Sequence, residues 1–208
     1  MSLWGRIFAA GYDRIMAGPE KAVLRQLRKE LLEPLAGRVL EVGGGTGANL
    51  RFYGPGVTEL VVTEPEEPMA RRLERHVADQ QVSATVVRAP AEKLPFDAGT
   101  FDAVVSTLVL CTVDDPTRAL AEAHRVLKPG GRLVFLEHVR SEDPGLARWQ
   151  DRLEGLQVRI GHGCHPNRPT LASIEAAGFT VASVQHDQLL KAPPIVRPLI
   201  VGVAERSA

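Results

Sequence analysis

The chain has 208 residues, 44% of them hydrophobic, and its 25 Lys and Arg residues balance its 25 Asp and Glu residues. This length and composition predict a single soluble domain, residues 1–208, that buries a full core. Because no basic excess is present, we expect no nucleic-acid partner. Two cysteines give no disulfide framework, and the N-terminus lacks a secretory pattern, so we expect a cytoplasmic protein.

Two helical patterns precede the first strand. The segment "KAVLRQLRKELLEPLAG" predicts a helix that ends at Pro34 and Gly37. Before it, apolar side chains predict an amphipathic helix that caps the core or the site, with contact to a membrane surface as the alternative. No apolar run reaches the roughly 20 residues needed to span a bilayer. We therefore treat residues 1–36 as a helical cap, whose first apolar face comprises Leu3, Trp4, Ile7, Phe8, Ile15 and Met16.

Five apolar stretches alternate with helical patterns in the middle of the chain. The predicted strands are "RVLEV", "VTELVVT", "VSATVVRA", "FDAVVSTLVL" and "RLVFLEHV". A helix is predicted in "EEPMARRLERHVADQ", and another begins at the cap residue Asp115 with Pro116 and ends at "LKPGG". This alternation predicts right-handed crossovers and a parallel, doubly wound sheet.

The last third of the chain departs from this rhythm. Residues 144–170 are predicted to form an irregular helical insertion on the substrate side, and a helix closed by Gly178 follows. The two final strands, "FTVASVQHDQL" and "IVRPLIVGVAE", have a connection too short for a helical crossover, which predicts an antiparallel pair at the sheet edge. The predicted fold is α/β: a Rossmann-like, doubly wound, mostly parallel seven-stranded sheet with a terminal antiparallel hairpin.

The stretch "RVLEVGGGTGANL" predicts a strand that enters a glycine-rich turn, which brings backbone N–H groups up to a ligand. Two ligands suit it. Gly43, Gly45 and Ala48 satisfy the dinucleotide pattern of an NAD site. Gly43, Gly45 and Gly47, preceded by Glu41, suit S-adenosylmethionine equally well. The glycines alone leave both ligands open.

Further stretches favour S-adenosylmethionine. Glu64, followed by Pro65, ends the second predicted strand, where a carboxylate accepts ribose hydroxyls. The stretch "PAEKLPFDAGTFD" resembles the loop that holds the adenine in quinone and sterol methyltransferases. Its usual Gly-Asp is replaced by Ala-Pro, so we expect adenine contacts from Ala91 and Glu92. "AHRVLKPGGRL" is similar to the helix-turn-strand motif of the same enzymes.

These motifs, in order, resemble class I S-adenosylmethionine-dependent methyltransferases. "LEVGGGTGANLRFYGPGV", "STLVLCTVDDPTRALAEAHRVLKPGG" and "FLEHV" resemble more closely the methyltransferase-like family whose animal members S-methylate alkyl thiols. The resemblance implies S-adenosylmethionine as cofactor and a small, apolar methyl acceptor, with a thiol favoured. The animal proteins carry a hydrophobic N-terminal anchor, whereas this chain has a short amphipathic segment.

Catalytic and substrate residues are predicted at the ends of the strands. The backbone at Thr107 and Leu108, after the fourth strand, is expected to meet the methionine part or the acceptor. His138, after the fifth strand, is the candidate general base, with a purely structural histidine as the alternative. The candidate substrate residues are Tyr12, which also sits in a "YD" pair like one that approaches the cofactor in quinone methyltransferases, Trp149, His162 and Arg168.

Other functions remain open at this point. His162, Cys164 and His165 are too close together for a closed zinc site, so we expect no metal. A quinone C-methyltransferase and a phospholipid N-methyltransferase are the alternative enzymes. A cofactor-binding module that regulates a partner without turnover is the alternative of another class, and an NAD oxidoreductase is the third. The sequence indicates neither the acceptor nor the oligomeric state.

Overall fold

The computed structural model describes residues 11, 14, 16–80 and 83–207. Within them, seven strands form one sheet in the order β3-β2-β1-β4-β5-β7-β6. The strands are β1 (Gly37–Val42), β2 (Val57–Thr63), β3 (Ala84–Val87), β4 (Phe101–Thr107), β5 (Leu127–His138), β6 (Phe179–Gln188) and β7 (Pro198–Arg206).

Besides the helical residues 16–19, the described part of the chain has five α-helices that connect or cover these strands. They are α1 (Arg25–Leu32), which continues a π-helical turn (Glu20–Leu24), α2 (Glu67–Gln80), α3 (Pro116–Val126), α4 (Pro144–Ile160) and α5 (Thr170–Ala176). Two short 3₁₀ turns cover Leu50–Phe52 and Pro194–Val196. The predicted cap of α3 is confirmed, because the Asp115 side chain accepts a hydrogen bond from the Arg118 N–H.

The predicted doubly wound sheet is confirmed. Strands β1 to β5 are parallel, and β7 pairs antiparallel with both β5 and β6. The predicted antiparallel pair thus lies at the edge of the sheet, but out of chain order: β7 lies between β5 and β6, and β6 is the edge strand. Strand order reverses between β1 and β4, so a crevice forms where their carboxyl ends diverge.

Several predicted strand boundaries were wrong, including those of β4 and β5. Strand β4 ends at Thr107 because Leu108 takes a left-handed conformation, with φ of +60°, that turns the backbone out of the sheet. The stop signal "LKPGG" lies inside β5, which begins at Leu127. The pairing of β4 with β5 shifts register between Phe101 and Ala103, and this irregularity absorbs the extra residues of the turn.

Apolar side chains on both faces of the sheet form the core. On one face, Leu24 of the π-helical turn and Leu27 of α1 pack against Leu136, Leu199 and Val201 of β5 and β7. This contact fixes the helical cap next to the crevice between β1 and β4. In the described ranges, none of the helices is both long and apolar enough to cross a membrane.

Candidate functional site

Residues 43–47 form a glycine turn directly after β1. Gly43, Gly45 and Gly47 have φ of +60°, +58° and +90°. A Cβ atom on Gly43 would lie 2.6 Å from Val109 Cγ2, and one on Gly47 would lie 2.8 Å from Leu50 Cδ1. A Cβ atom on Gly45 would meet nothing within 4 Å. Gly43 and Gly47 are therefore required by packing, whereas Gly45 borders open space that a ligand can enter.

Glu64 lies beside this open space, at the end of β2, and is 6% exposed. Its Oε2 accepts a hydrogen bond from the Gly45 N–H at 2.8 Å, and its Oε1 accepts one from the Glu66 N–H at 2.9 Å. Burial raises the pKa of Glu64, and the two backbone hydrogen bonds oppose that shift. A carboxylate has about four acceptor positions, so Glu64 can still accept two hydroxyl groups.

The cofactor that the motifs imply, S-adenosylmethionine, fits this corner of the crevice. Gly45 leaves space for it, and Glu64 has spare acceptor capacity for the ribose hydroxyls. Pro65, the other predicted residue here, is exposed and begins the connection to α2. Cofactor binding by Gly43, Gly45, Gly47, Glu64 and Pro65 stays a prediction that this geometry supports.

Glu41 is placed differently from Glu64. It is buried beneath the turn, where its Oε1 accepts a hydrogen bond from Asn49 Nδ2 at 2.8 Å and its Oε2 accepts one from the Tyr53 hydroxyl at 2.7 Å. Burial raises its pKa to about 7, although these hydrogen bonds and the nearby Arg28 charge oppose the shift. Both oxygens have protein partners, so the geometry favours a supporting role for Glu41 below the turn.

Arg28 of α1 completes this buried network. It is 4% exposed, and its Nη1 donates to Asn49 Oδ1 at 2.5 Å and to Thr107 Oγ1 at 3.1 Å. The backbone of Thr107 is predicted to meet the methionine part or the acceptor, and its hydroxyl is held by the helical cap. The sequence analysis did not identify Arg28, Asn49 or Tyr53 as part of the site. For Arg28 the reason is that a charged residue in a helical pattern is normally expected to face solvent.

The adenine prediction involves the connection after β3. Ala91 is buried, and Glu92 Oε1 accepts hydrogen bonds from the Asp114 N–H at 2.9 Å and the Asp115 N–H at 3.3 Å. Glu92 therefore joins the connection after β3 to the one after β4, at the carboxyl edge of the sheet. Contacts of Ala91 and Glu92 with an adenine stay a prediction.

His138 lies at the end of β5 and is buried. Burial lowers its pKa to about 4, so its imidazole is uncharged at neutral pH. Within the described residues, its Nδ1 has no hydrogen-bond partner. An uncharged ring with an open nitrogen can accept a hydrogen bond, but such a low pKa makes it a weak base.

Helix α4 runs across the carboxyl edge of the sheet. In its first half, Gln150 Nε2 donates to the backbone oxygen of Val139, just past β5, at 3.0 Å. Just past its end, His162 Nε2 lies 3.6 Å from Glu66 Oε1, in the connection after β2. The helical stretch from Gln150 toward His162 is about 18 Å long, enough to cross the three strand spacings, about 14 Å, between β5 and β2. α4 thus lies over the crevice between β1 and β4.

The segment that follows α4, residues 161–168, returns over the connection after β4. The His165 N–H donates to the Cys111 backbone oxygen at 2.7 Å, and Arg168 Nη1 donates to the Leu110 backbone oxygen at 2.6 Å. His162 and Arg168 are therefore brought to the same edge as the glycine turn. Trp149 on α4 is 56% exposed, with the Arg152 guanidinium 5.8 Å from its ring centroid. Tyr12 lies outside the described residues.

Among the residues that the structure describes, no group of three or more His, Cys, Asp or Glu side chains could hold a metal ion. Cys111 and Cys164 are both buried and both reduced. The neighbouring Cys164 thiol and burial together raise the pKa of the Cys111 thiol.

Comparisons with known proteins agree with this geometry. A family model described as a methyltransferase domain matches residues 40–135. Thiol S-methyltransferase TMT1A of Homo sapiens is 34% identical over 203 residues, which cover 95% of this chain and 82% of that protein. The ubiquinone/menaquinone biosynthesis C-methyltransferase UbiE of Ectopseudomonas mendocina is 36% identical over 154 residues, 69% of this chain and 59% of that protein.

A solved structure has the same fold over its whole length. The SAM-dependent methyltransferase of Thermotoga maritima, described as a possible histamine N-methyltransferase, aligns with a TM-score of 0.72 at 24% identity and covers 100% of both chains. The family match begins in β1 and ends in β5, so it contains the glycine turn, Glu64 and the connection after β4.

Proposed function

We propose, from the premise that this chain belongs to the family of S-adenosylmethionine-dependent methyltransferases, that its methyl acceptor is the sulfur of a small, apolar thiol. The observation that carries the proposal is the 34% identity to a human thiol S-methyltransferase over 95% of the chain. That similarity extends beyond the cofactor half of the fold into α4 and the segment 161–168, where the acceptor would be recognised.

S-adenosylmethionine, when bound, supplies a methyl group on a positively charged sulfur that is already activated for transfer. The chain therefore needs to bind, orient and exclude water rather than supply a nucleophile of its own. Glu64 accepts the ribose hydroxyls, and Gly45 leaves the space beside it. The backbone at Leu108 borders the reacting end of the crevice.

The acceptor site lies between the connection after β4 and the helix above it. In this proposal α4 excludes water, Trp149 contributes apolar surface, and His162 and Arg168 border the entrance from the segment 161–168. The apolar side chains of Leu108, Val109 and Leu110 in the connection after β4 suit a small acceptor with an apolar body.

A thiol must lose its proton before or during methyl transfer. We propose that His138 Nδ1, which is buried and has no hydrogen-bond partner in the described chain, accepts the thiol proton as the sulfur takes the methyl group, with the acceptor bound beside the end of β5. Because the pKa of His138 is about 4, the imidazolium would be short-lived at neutral pH.

Residence in the cytoplasm and contact of the N-terminal segment with a membrane surface stay predictions.

An acceptor screen tests the choice of substrate. The protein is incubated with S-adenosylmethionine carrying a labelled methyl group and with separate pools of alkyl thiols, quinones and phospholipids. We expect label in the thiol pool, with Glu64→Ala lowering the incorporation at subsaturating cofactor. Label in the quinone pool would instead support the second candidate, which the 36% identity to UbiE favours. Cofactor binding without label in any pool would contradict methyl transfer to all three classes.

A further inference from the structure

Glu137 of β5 is a buried carboxylate that the mechanism above does not use. Its relative exposure is 0%, and it lies one residue before His138. Its hydrogen-bond donors come from β4 and from residues 108–111, named here the post-β4 loop. Ser106 Oγ donates to Oε1 at 2.7 Å, the Val109 N–H donates to Oε1 at 3.0 Å, and the Cys111 N–H donates to Oε2 at 3.4 Å.

The post-β4 loop needs such an anchor because its backbone is strained. Leu108 has φ of +60°, a conformation that costs a residue with a Cβ atom free energy. Past Leu108 the loop has left the ladder of the sheet, and its N–H groups face the protein interior. A buried N–H group without an acceptor is costly, so the Glu137 oxygens decide where this loop sits.

The loop in turn contacts both sides of the candidate site. On the cofactor side, the Val109 side chain packs against Gly43, so that a Cβ atom added to Gly43 would lie only 2.6 Å from Val109 Cγ2. On the acceptor side, the Leu110 oxygen accepts from Arg168, and the Cys111 oxygen accepts from the His165 N–H. A displacement of the loop would therefore move Val109 away from the glycine turn and loosen the segment 161–168.

We propose that Glu137 is a positioning residue: its carboxylate holds the post-β4 loop against the glycine turn and so shapes the cofactor crevice. An ionised carboxylate is an acceptor only, so both of its oxygens suit these donors. Burial raises the pKa of Glu137, and the hydrogen bonds from Ser106 and from the loop amides oppose that shift. The proposal rests on the methyl-transfer function but not on the choice of acceptor, because cofactor binding alone tests it.

The Glu137→Gln variant tests the proposal, because the amide keeps the size of the side chain but turns an N–H₂ donor toward backbone N–H groups. In the ligand-free variant we expect hydrogen exchange at the Val109 and Cys111 amides to be at least tenfold faster. By calorimetry, we expect the Kd for S-adenosylhomocysteine to rise at least tenfold. The Kd is measured well below the melting temperature, where the variant is folded. Faster exchange supports the proposal only where it is confined to these amides, because a loss of global stability would speed exchange throughout the core strands as well.

Two further variants complete the test. Glu137→Asp keeps the charge but withdraws it by one methylene, so its Kd should rise at least threefold and stay below that of Glu137→Gln. If Glu137→Gln does not fold, the Glu137→Asp result decides. The control is Asp102→Asn, which removes a carboxylate that accepts from the Arg38 N–H at the amino end of β4, far from the crevice.

The control variant should bind S-adenosylhomocysteine within twofold of the wild type. A folded Glu137→Gln variant with an unchanged Kd and unchanged exchange would overturn the proposal, and so would an equal loss of affinity in Asp102→Asn. A wild-type Kd in Glu137→Asp would overturn it as well. A failed acceptor screen leaves all of these readouts intact, so the two proposals fail separately.

Discussion

Glu64 and Glu66 are two residues apart, yet the structure gives them different environments. Glu64 is buried and holds the Gly45 N–H, whereas half of the Glu66 side chain is exposed beside His162. A carboxylate at the crevice can accept ribose hydroxyls, while an exposed one contributes little to a bound ligand. The two residues are therefore a matched pair for testing how the ribose is bound.

We expect Glu64→Ala to raise the Kd for S-adenosylhomocysteine at least tenfold and Glu66→Ala to raise it less than twofold. The reason is that only Glu64 combines spare acceptor positions with a hydrogen bond to the glycine turn. Calorimetric titration of both variants measures the difference. Equal effects of the two substitutions would remove the ribose assignment from Glu64.

At the scale of the element, the glycines of the turn serve two purposes: two of them leave room for neighbouring side chains, and the third leaves room for a ligand. Gly43 and Gly47 have no room for a side chain because Val109 and Leu50 pack against them. Gly45 has room but the same left-handed backbone, and so does Gly99 in the connection before β4, with φ of +66° and nothing within 4 Å of its Cβ position. Gly99 lies at the opposite, amino edge of the sheet.

Gly45→Ala and Gly99→Ala should therefore cost similar stability, about 1 kcal/mol each, because a Cβ atom at positive φ is strained in both turns. Only Gly45→Ala should also weaken S-adenosylhomocysteine, by at least tenfold, since its methyl group enters the space beside Glu64. Urea unfolding and calorimetric titration measure the two effects. Similar Kd values in the two variants would show that the space above Gly45 is not part of the cofactor site.

At the scale of the whole molecule, two buried groups shift stability with pH in opposite directions. The pKa of His138 is lowered from 6.5 to about 4, so its contribution is present above pH 6.5 and is lost as the pH falls toward 4. The pKa of Glu41 is raised from 4.5 to about 7, so its contribution is present below pH 4.5 and is lost as the pH rises through 7.

Substitution of either group should change the slope with which the free energy of unfolding varies with pH. Between pH 4.5 and 6.5, Glu41→Gln should make stability rise more steeply with pH than in the wild type, and His138→Gln should make it rise less steeply. Each shift corresponds to about 3 kcal/mol over its full range. Urea unfolding at four pH values measures the slopes. Parallel curves for the wild type and both variants would contradict the two pKa shifts.

The sequence by itself determined the order of the elements, the cofactor and the position of Glu64. These depend on local patterns: the bounds predicted for β2 are those observed, because apolar residues and turn residues alternate at strand and helix spacing. The glycine turn required its glycines for its own backbone and its nearest contacts. The family confirms S-adenosylmethionine, which the ordered motifs predicted.

Only the tertiary structure decided which polar residues are buried and what they hold. Arg28 bonds Thr107 across 79 positions of sequence, and Glu137 bonds the Val109 N–H across 28. No periodic pattern predicts such pairs, because a charged residue in a helix or a strand is expected to face solvent unless a buried partner is known. The path of α4 across the carboxyl edge is likewise a product of packing. Short local motifs thus predict the cofactor, whereas the shape of the acceptor side depends on contacts between segments that are distant in sequence.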